Sequence, residues 1–234
     1  MIDLSRSEAL LGADTMSRLR SARIAVVGVG GVGGWCAEAL VRTGACRLTL
    51  VDDDVVAPSN VNRQCPATAA TIGRVKVEAM RERLLAINPS AEIDGRAERF
   101  TGAMDGAFFA EHEVIVDAID SVDCKAELIL GATAAGVPVV SSMGAALRLD
   151  PTEVVVRRFD RVEGDGLARA LRRRFRLLRR FPSGNFNCVC SLETPAPVGC
   201  EPTVRPSYMP VTCAFGMALA AEVIRILKGE EKCP

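Results

Sequence analysis

The chain reads as an α/β protein built on a doubly wound, mostly parallel sheet that is extended by antiparallel strands. Two observations predict this. Between residues 23 and 142, short runs rich in valine and isoleucine alternate with helix-like segments. These runs are apolar throughout, as strands covered by helices on both faces must be. After Gly144 the rhythm changes to two alternating runs around Asp150, Pro151 and Thr152, which read as an antiparallel hairpin. With 234 residues, the chain is long enough for one large core and does not require a second domain.

The elements follow in order. Strands are expected at 23–28, 47–52, 91–97, 113–117 and 137–142, and helices at 32–43, 74–87, 103–110 and 124–135. The hairpin comes next, then a basic helix over 167–180 and a proline-, glycine- and cysteine-rich loop over 182–206. An apolar helix over 211–227 ends at Gly229, a residue suited to stopping a helix.

Composition narrows the function classes. Hydrophobic residues make up 49% and charged residues 25%, an ordinary globular balance rather than that of a disordered chain. The N-terminus has acidic residues early and no basic flank before an apolar run, so it does not read as a signal peptide. The apolar tract at 211–227 is interrupted by Glu222 and Arg225 and reads as too short for a membrane span. Nine scattered cysteines, an odd number without a C-x-x-C pair, point to a reducing cytoplasm rather than to a disulfide framework or a zinc ribbon. Cys188, Cys190 and Cys200 form the one cluster, read as unliganded thiols rather than a zinc site, with Cys188 and Cys190 open either to simple burial or to a thioester or persulfide carrier role.

Gly28, Gly30 and Gly33 form G-x-G-x-x-G between the first strand and the helix after it. There, backbone N–H groups and the positive helix end can hold a phosphate, which makes this half of the chain Rossmann-like. Asp52 ends the second strand, where a carboxylate can accept both hydroxyls of a ribose. A dinucleotide is the default ligand, but the next segment suits a triphosphate better. "VDDDVVAPSNVNRQ" brings Asp54, Asn60, Arg63 and Gln64, and the following helix carries Lys76. Cations there can neutralise a leaving pyrophosphate. "VIVDAIDSVDCK" ends a parallel strand with Asp117 and Asp120, either of which can hold Mg²⁺ against phosphates.

Together, "GVGGVGGW", "LTLVDDDVV", "SNVNRQ", "GRVKVE" and "DAIDS" resemble the ubiquitin-activating-like (ThiF/MoeB-type) adenylyltransferases over nearly the whole chain. "NVNRQ", "DAIDSVDCK" and "LDPTEVVV" resemble the branch of that superfamily that acts on threonylcarbamoyladenosine in tRNA. The resemblance implies a single ATP-binding adenylyltransferase domain over 1–234 with a basic helical insertion at about 160–181. It implies an ATP-dependent dehydratase that adenylates the carboxylate of the modified nucleoside and promotes its cyclisation. ATP and Mg²⁺ are the ligands it implies and tRNA the substrate; it also implies a homodimer and leaves room for a sulfur-transfer partner protein.

Carried over by position, Gly28, Gly30 and Gly33 match the phosphate loop and Asp52 the ribose acid, with Asp54 beside it. Asn60, Arg63 and Lys76 match the loop asparagine and the two phosphate-facing cations, and Asp120 matches the acid near the metal. Arg63, Lys76 and Asp120 are thus the catalytic candidates. Arg6 matches an N-terminal arginine that reaches into the neighbouring subunit's site.

The basic helix stands apart. Between Arg157 and Arg180, ten arginines face three acidic residues in a chain of net charge zero. Leu167, Leu171, Phe175 and Leu178 follow helical spacing, which puts Arg169, Arg172, Arg173, Arg176, Arg179 and Arg180 on the other face. Unmixed positive charge suits RNA phosphates, with an anionic membrane surface as the alternative. His112 reads as a surface or helix-end residue rather than a catalyst, and Cys124 as a buried thiol. Two other functions compete: an activating adenylyltransferase for a ubiquitin-like sulfur-carrier protein, and a nucleotide-binding regulatory module. Many of the former carry paired C-x-x-C zinc ligands, and the latter has no need of Arg63, Lys76 and Asp120 together.

Overall fold

The computed structural model describes residues 2–102, 106–196 and 206–230. Two short helices, α1 (Ser5–Leu11) and α2 (Ala13–Ser21), precede β1 (Arg23–Val27), α3 (Gly33–Thr43) and β2 (Arg47–Val51). The alternation continues through α4 (Lys76–Ile87), β3 (Glu92–Arg96), α5 (Gly106–Ala110), β4 (Val114–Asp117), α6 (Val122–Ala134) and β5 (Val139–Ser142). β6 (Val154–Arg158), α7 (Gly166–Leu178), β7 (Asn187–Ser191) and α8 (Met209–Lys228) complete the chain. From 23 to 142 the expected elements form within two residues of their predicted ends, residues 103–105 lying outside the described ones. α1 and α2 have no counterpart in the predicted order.

The sheet runs β3-β2-β1-β4-β5-β7-β6 and is parallel except for β6, which pairs antiparallel with β7. Chain direction across the sheet reverses between β1 and β4, the switch point of a doubly wound fold. Alternate strand residues serve opposite layers. Ile24, Val26, Val114, Val116 and Val189 face a core shared with α3, α4 and α8. Ala25, Val27, Ile115, Cys188 and Cys190 face the core under α5, α6 and α7.

Two expectations fail in the C-terminal third. The predicted hairpin does not form, because Leu147 takes a left-handed backbone (φ 62°) and donates its N–H to the Pro206 carbonyl, 2.9 Å. Asp150 instead caps a 3-10 turn at Pro151–Glu153 that leads into β6. The partner of β6 is β7, which lies inside the stretch predicted as loop. Its sequence, NCVCS, has a single β-branched residue and no alternation; burial on both faces between β5 and β6 holds it extended.

α8 also differs from expectation. At twenty residues it is long and apolar enough, by length and composition, to cross a bilayer. Here Val211, Phe215, Leu219 and Val223 are fully buried in the protein core, so that composition is what a central core helix requires. Gly229 ends it in the left-handed conformation, φ 80°.

Candidate active site

The carboxyl ends of β1, β2, β4 and β5 open into one cavity of about 1190 Å³, where an α/β sheet places its ligand. The glycine loop forms one wall. Gly28 has φ +88° and its missing side chain lets the Ala118 carbonyl approach; a Cβ there would fall 2.7 Å from that oxygen. A Cβ on Gly33 would fall 1.8 Å from the Gly28 oxygen, so both glycines serve internal packing. Gly30 differs, since a Cβ there meets nothing nearer than the Gln64 side chain at 3.7 Å. Its bareness serves the cavity, where backbone can approach a phosphate closely.

Asp52 sits beside this loop. Its Oδ2 accepts the Val29 N–H at 2.8 Å and its Oδ1 the Asp54 N–H at 3.0 Å, which fixes the carboxylate and leaves further lone pairs toward the cavity. Burial pushes its pKa up, against the opposing pull of Lys76 and the two N–H groups. Lys76 is buried, with Nζ 2.7 Å from Asp54 Oδ2 and 3.9 Å from Asp52 Oδ1. The predicted phosphate-facing ammonium therefore balances two acids while lining the cavity. Asn60 accepts the Ala57 N–H at 3.0 Å and shapes the turn. Arg63 is tethered by Nη1 to the Ser59 carbonyl, 3.0 Å, and to Asn62 Oδ1, 2.8 Å, with the rest of its guanidinium at the cavity.

Asp117 and Asp120 now separate. Asp117 is fully buried, and its Oδ2 receives Lys125 Nζ at 2.7 Å and Ser141 Oγ at 2.6 Å. Its Oδ1 takes the Ile119 N–H at 3.2 Å, so both oxygens are engaged and the buried group braces the loop after β4. Asp120 is exposed on the cavity wall, and among the described residues no hydrogen bond or ion pair claims it. A carboxylate in that position fits a hard cation held against phosphates. The carboxylates of Asp52, Asp53 and Asp54 lie within 4.8 Å of one another, but Lys76 already engages two of them.

The remaining candidates divide. Arg6 is exposed on α1 and is not part of this chain's cavity wall. His112 is buried rather than on the surface, bonded by Nδ1 to the Phe108 carbonyl (2.7 Å) and by Nε2 to Thr49 Oγ1 (2.9 Å), away from the cavity. Cys188 and Cys190 are buried on β7, where burial raises the first well above the thiol range and the second to about 11. They are core residues, and Cys200 lies outside the described residues. Cys124 is half-buried at the cavity, 3.5 Å from Arg99 Nε.

On α7, Arg172 turns inward against the predicted pattern. Its Nη2 donates to the Phe159 and Val162 carbonyls, both 2.7 Å, and its guanidinium stacks 4.9 Å from the Phe159 ring centre. Arg180 pairs with Glu127 at 3.0 Å, beyond a helix that ends at Arg179 (φ 52°). Arg169, Arg173, Arg176 and Arg179 remain exposed.

Gln64, named in the loop but given no role, and Arg148, not predicted at all, are also cavity residues. The Gln64 side-chain carbonyl is buried without a protein partner, and Arg148 is buried between the Glu193 carbonyl and Asp165, 3.8 Å away. Gln64 was legible in the "NVNRQ" run; Arg148 sits in a segment whose backbone the sequence misassigns.

The ThiF family profile matches residues 4–234. The tRNA threonylcarbamoyladenosine dehydratase of Bacillus subtilis is 36% identical over 173 residues, 74% of this chain and 68% of that protein. The Escherichia coli tRNA N6-threonylcarbamoyladenosine dehydratase, solved in complex with ATP, superposes with a TM-score of 0.89 at 31% identity, covering 97% of this chain and 93% of the other. The molybdopterin-synthase adenylyltransferase of E. coli is 36% identical over 162 residues, 69% of this chain and 63% of that protein. The sequence matches span 41% to 68% of the length of the dehydratases compared.

Proposed function

The chain belongs to the ThiF family, and from that premise we propose that it is an ATP-dependent dehydratase of N6-threonylcarbamoyladenosine in tRNA. A free carboxylate is a poor electrophile because its leaving group would be oxide. In the proposed reaction, a carboxylate oxygen of the threonylcarbamoyl group attacks the α-phosphorus of ATP and pyrophosphate departs. A nucleophilic atom of the same group then attacks the acyl carbon, AMP departs and the ring closes, with net loss of one water.

The observation that carries this reading is the cavity at the sheet switch point. Its volume, about 1190 Å³, exceeds the roughly 300–1,000 Å³ typical of one small-molecule site, which suits a nucleotide and a second nucleoside side by side. In this scheme the Gly28–Gly33 loop cradles the phosphates and Asp52 takes the ribose. Arg63 neutralises charge on the departing pyrophosphate, while Lys76 keeps Asp52 and Asp54 compatible with a polyanion next to them. Asp120 would hold Mg²⁺, which offsets phosphate charge when bound. Arg6 completes the site of a second subunit in a homodimer.

The test is mass spectrometry of nucleosides from tRNA bearing the threonylcarbamoyl group after incubation with the protein and Mg-ATP. Loss of one water that needs ATP and disappears in Arg63→Ala is the expected result. An unchanged nucleoside mass with intact ATP binding would move the activity to a protein carboxylate, such as a sulfur carrier's C-terminus.

A further inference from the structure

We propose that the outer face of α7 docks the sugar–phosphate backbone of the substrate RNA, with Arg169, Arg173 and Arg176 as the phosphate contacts. The inference rests on the tRNA reading above and adds where the polymer lies and which of the many arginines hold it.

The first observation is how the arginines are paired. Several exposed arginines elsewhere engage carboxylates, as Arg20 does Glu8, Arg47 Glu92 and Arg74 Glu82, while Arg6 and Arg161 stand singly without such a pair among the described residues. Around α7 the same sorting occurs: Arg174 binds Asp123 at 2.9 Å, Arg180 binds Glu127, and Arg172 is spent on backbone carbonyls. Arg169, Arg173 and Arg176 have no side-chain partner among the described residues. They lie at i, i+4 and i+7 of one helix, close enough to repel one another. The molecule bears that repulsion without internal relief, which an external polyanion would provide.

The second observation is shape. These three residues, with Arg174, line a concavity of about 600 Å³ whose wall includes Val122, Gly166 and Ala170. Val122, Gly166 and Ala170 also line the nucleotide cavity. The basic concavity and the adenylation cavity thus share a partition, so a strand held in one can present its modified base to the other. The one carboxylate in the concavity, Asp123, is neutralised by Arg174. At about 1.5 Å rise per residue, Arg169 to Arg176 spans roughly 10 Å.

The third observation concerns what this face lacks. A helix that lies on a membrane presents its apolar stripe to lipid. The stripe of α7, Ala168, Leu171 and Phe175, is buried in the protein core instead; the outer face exposes Leu177 in the concavity and Phe181 just beyond the helix, two apolar side chains among the arginines rather than a second stripe. RNA is therefore the occupant the surface fits.

The test measures binding of unmodified tRNA by fluorescence anisotropy across a potassium chloride series, for the wild type, R169A/R173A/R176A and the single charge reversal Arg173→Glu. The triple variant is expected to bind at least tenfold more weakly. Its log–log salt slope should be shallower by about 2 to 3, since each lost phosphate contact removes roughly 0.7–0.9. Its ATP affinity and thermal midpoint should stay at wild-type values. Arg173→Glu should also weaken tRNA binding. An unchanged affinity and slope in both variants overturns the proposal. So does loss of sedimentation with phosphatidylserine vesicles while the tRNA slope is unchanged, which would assign the face to a membrane. If the wild type shows the arginine-dependent slope but removes no water from modified tRNA, the docking surface stands and the dehydratase reading fails.

Discussion

At Gly33 an added methyl group would fall 1.8 Å from the Gly28 carbonyl oxygen, whereas at Gly30 the nearest atom is 3.7 Å away on Gln64. Gly33→Ala should therefore cost about 1–3 kcal/mol of stability, the usual penalty of overpacking. Gly30→Ala should melt like the wild type and lose ATP affinity, as paired thermal melts and ATP titrations would reveal. At Lys125 the logic is charge: Lys125→Met leaves Asp117 buried and unpaired, an expected loss of about 3–5 kcal/mol in urea unfolding. His112 is the single histidine, and burial lowers its pKa despite the Phe108 carbonyl. A depressed folded value means stability is present above the unfolded value, about 6.5, and is lost as pH falls through the folded one. Its imidazole NMR resonance should titrate below about pH 6.5, and urea stability should fall on acidification; a midpoint at or above that value contradicts the burial argument. At this scale the positions of the glycines, Asp52 and Asp120 beside the cavity were legible because they follow strand ends that the pattern locates, whereas Arg63 lies in the loop beyond β2 and was picked out by the "NVNRQ" run. The division of labour between Asp117 and Asp120 was not, because it depends on Lys125 and Ser141 from other elements.

Among elements, α7 carries the clearest lesson. Its amphipathic spacing correctly foretells a buried Leu171 and Phe175. The same spacing assigns Arg172 to solvent, yet its guanidinium holds the Phe159 and Val162 carbonyls and stacks on the Phe159 ring. Arg172→Ala should accordingly lower stability by about 1.5–3 kcal/mol, the range for charged hydrogen bonds. It should leave the salt dependence of tRNA binding intact; chemical denaturation beside the anisotropy series separates the two effects. β7 teaches the complementary point. A strand enclosed on both edges and both faces needs little intrinsic preference of its own, so NCVCS pairs with β5 and β6 without announcing itself.

For the molecule as a whole, the nucleotide cavity draws its walls from the ends of four strands, so a ligand there ties the two halves of the sheet together. ATP at about a hundred times its dissociation constant should add roughly 2.7 kcal/mol to apparent stability. Thermal melts should rise with ATP in the wild type and show a smaller rise in Arg63→Ala. By itself the sequence determined the alternating α/β order, the glycine loop at the switch-point cavity and the adenylating family, because hydrophobic periodicity and glycine spacing act locally and survive being read along a line. The tertiary structure alone decided the pairing of β6 with β7, the burial of Cys188, Cys190 and His112, and which arginines face outward. Those outcomes depend on partners distant in the chain, and a charged group's role is set by whichever carboxylate or carbonyl folding brings within about 3 Å.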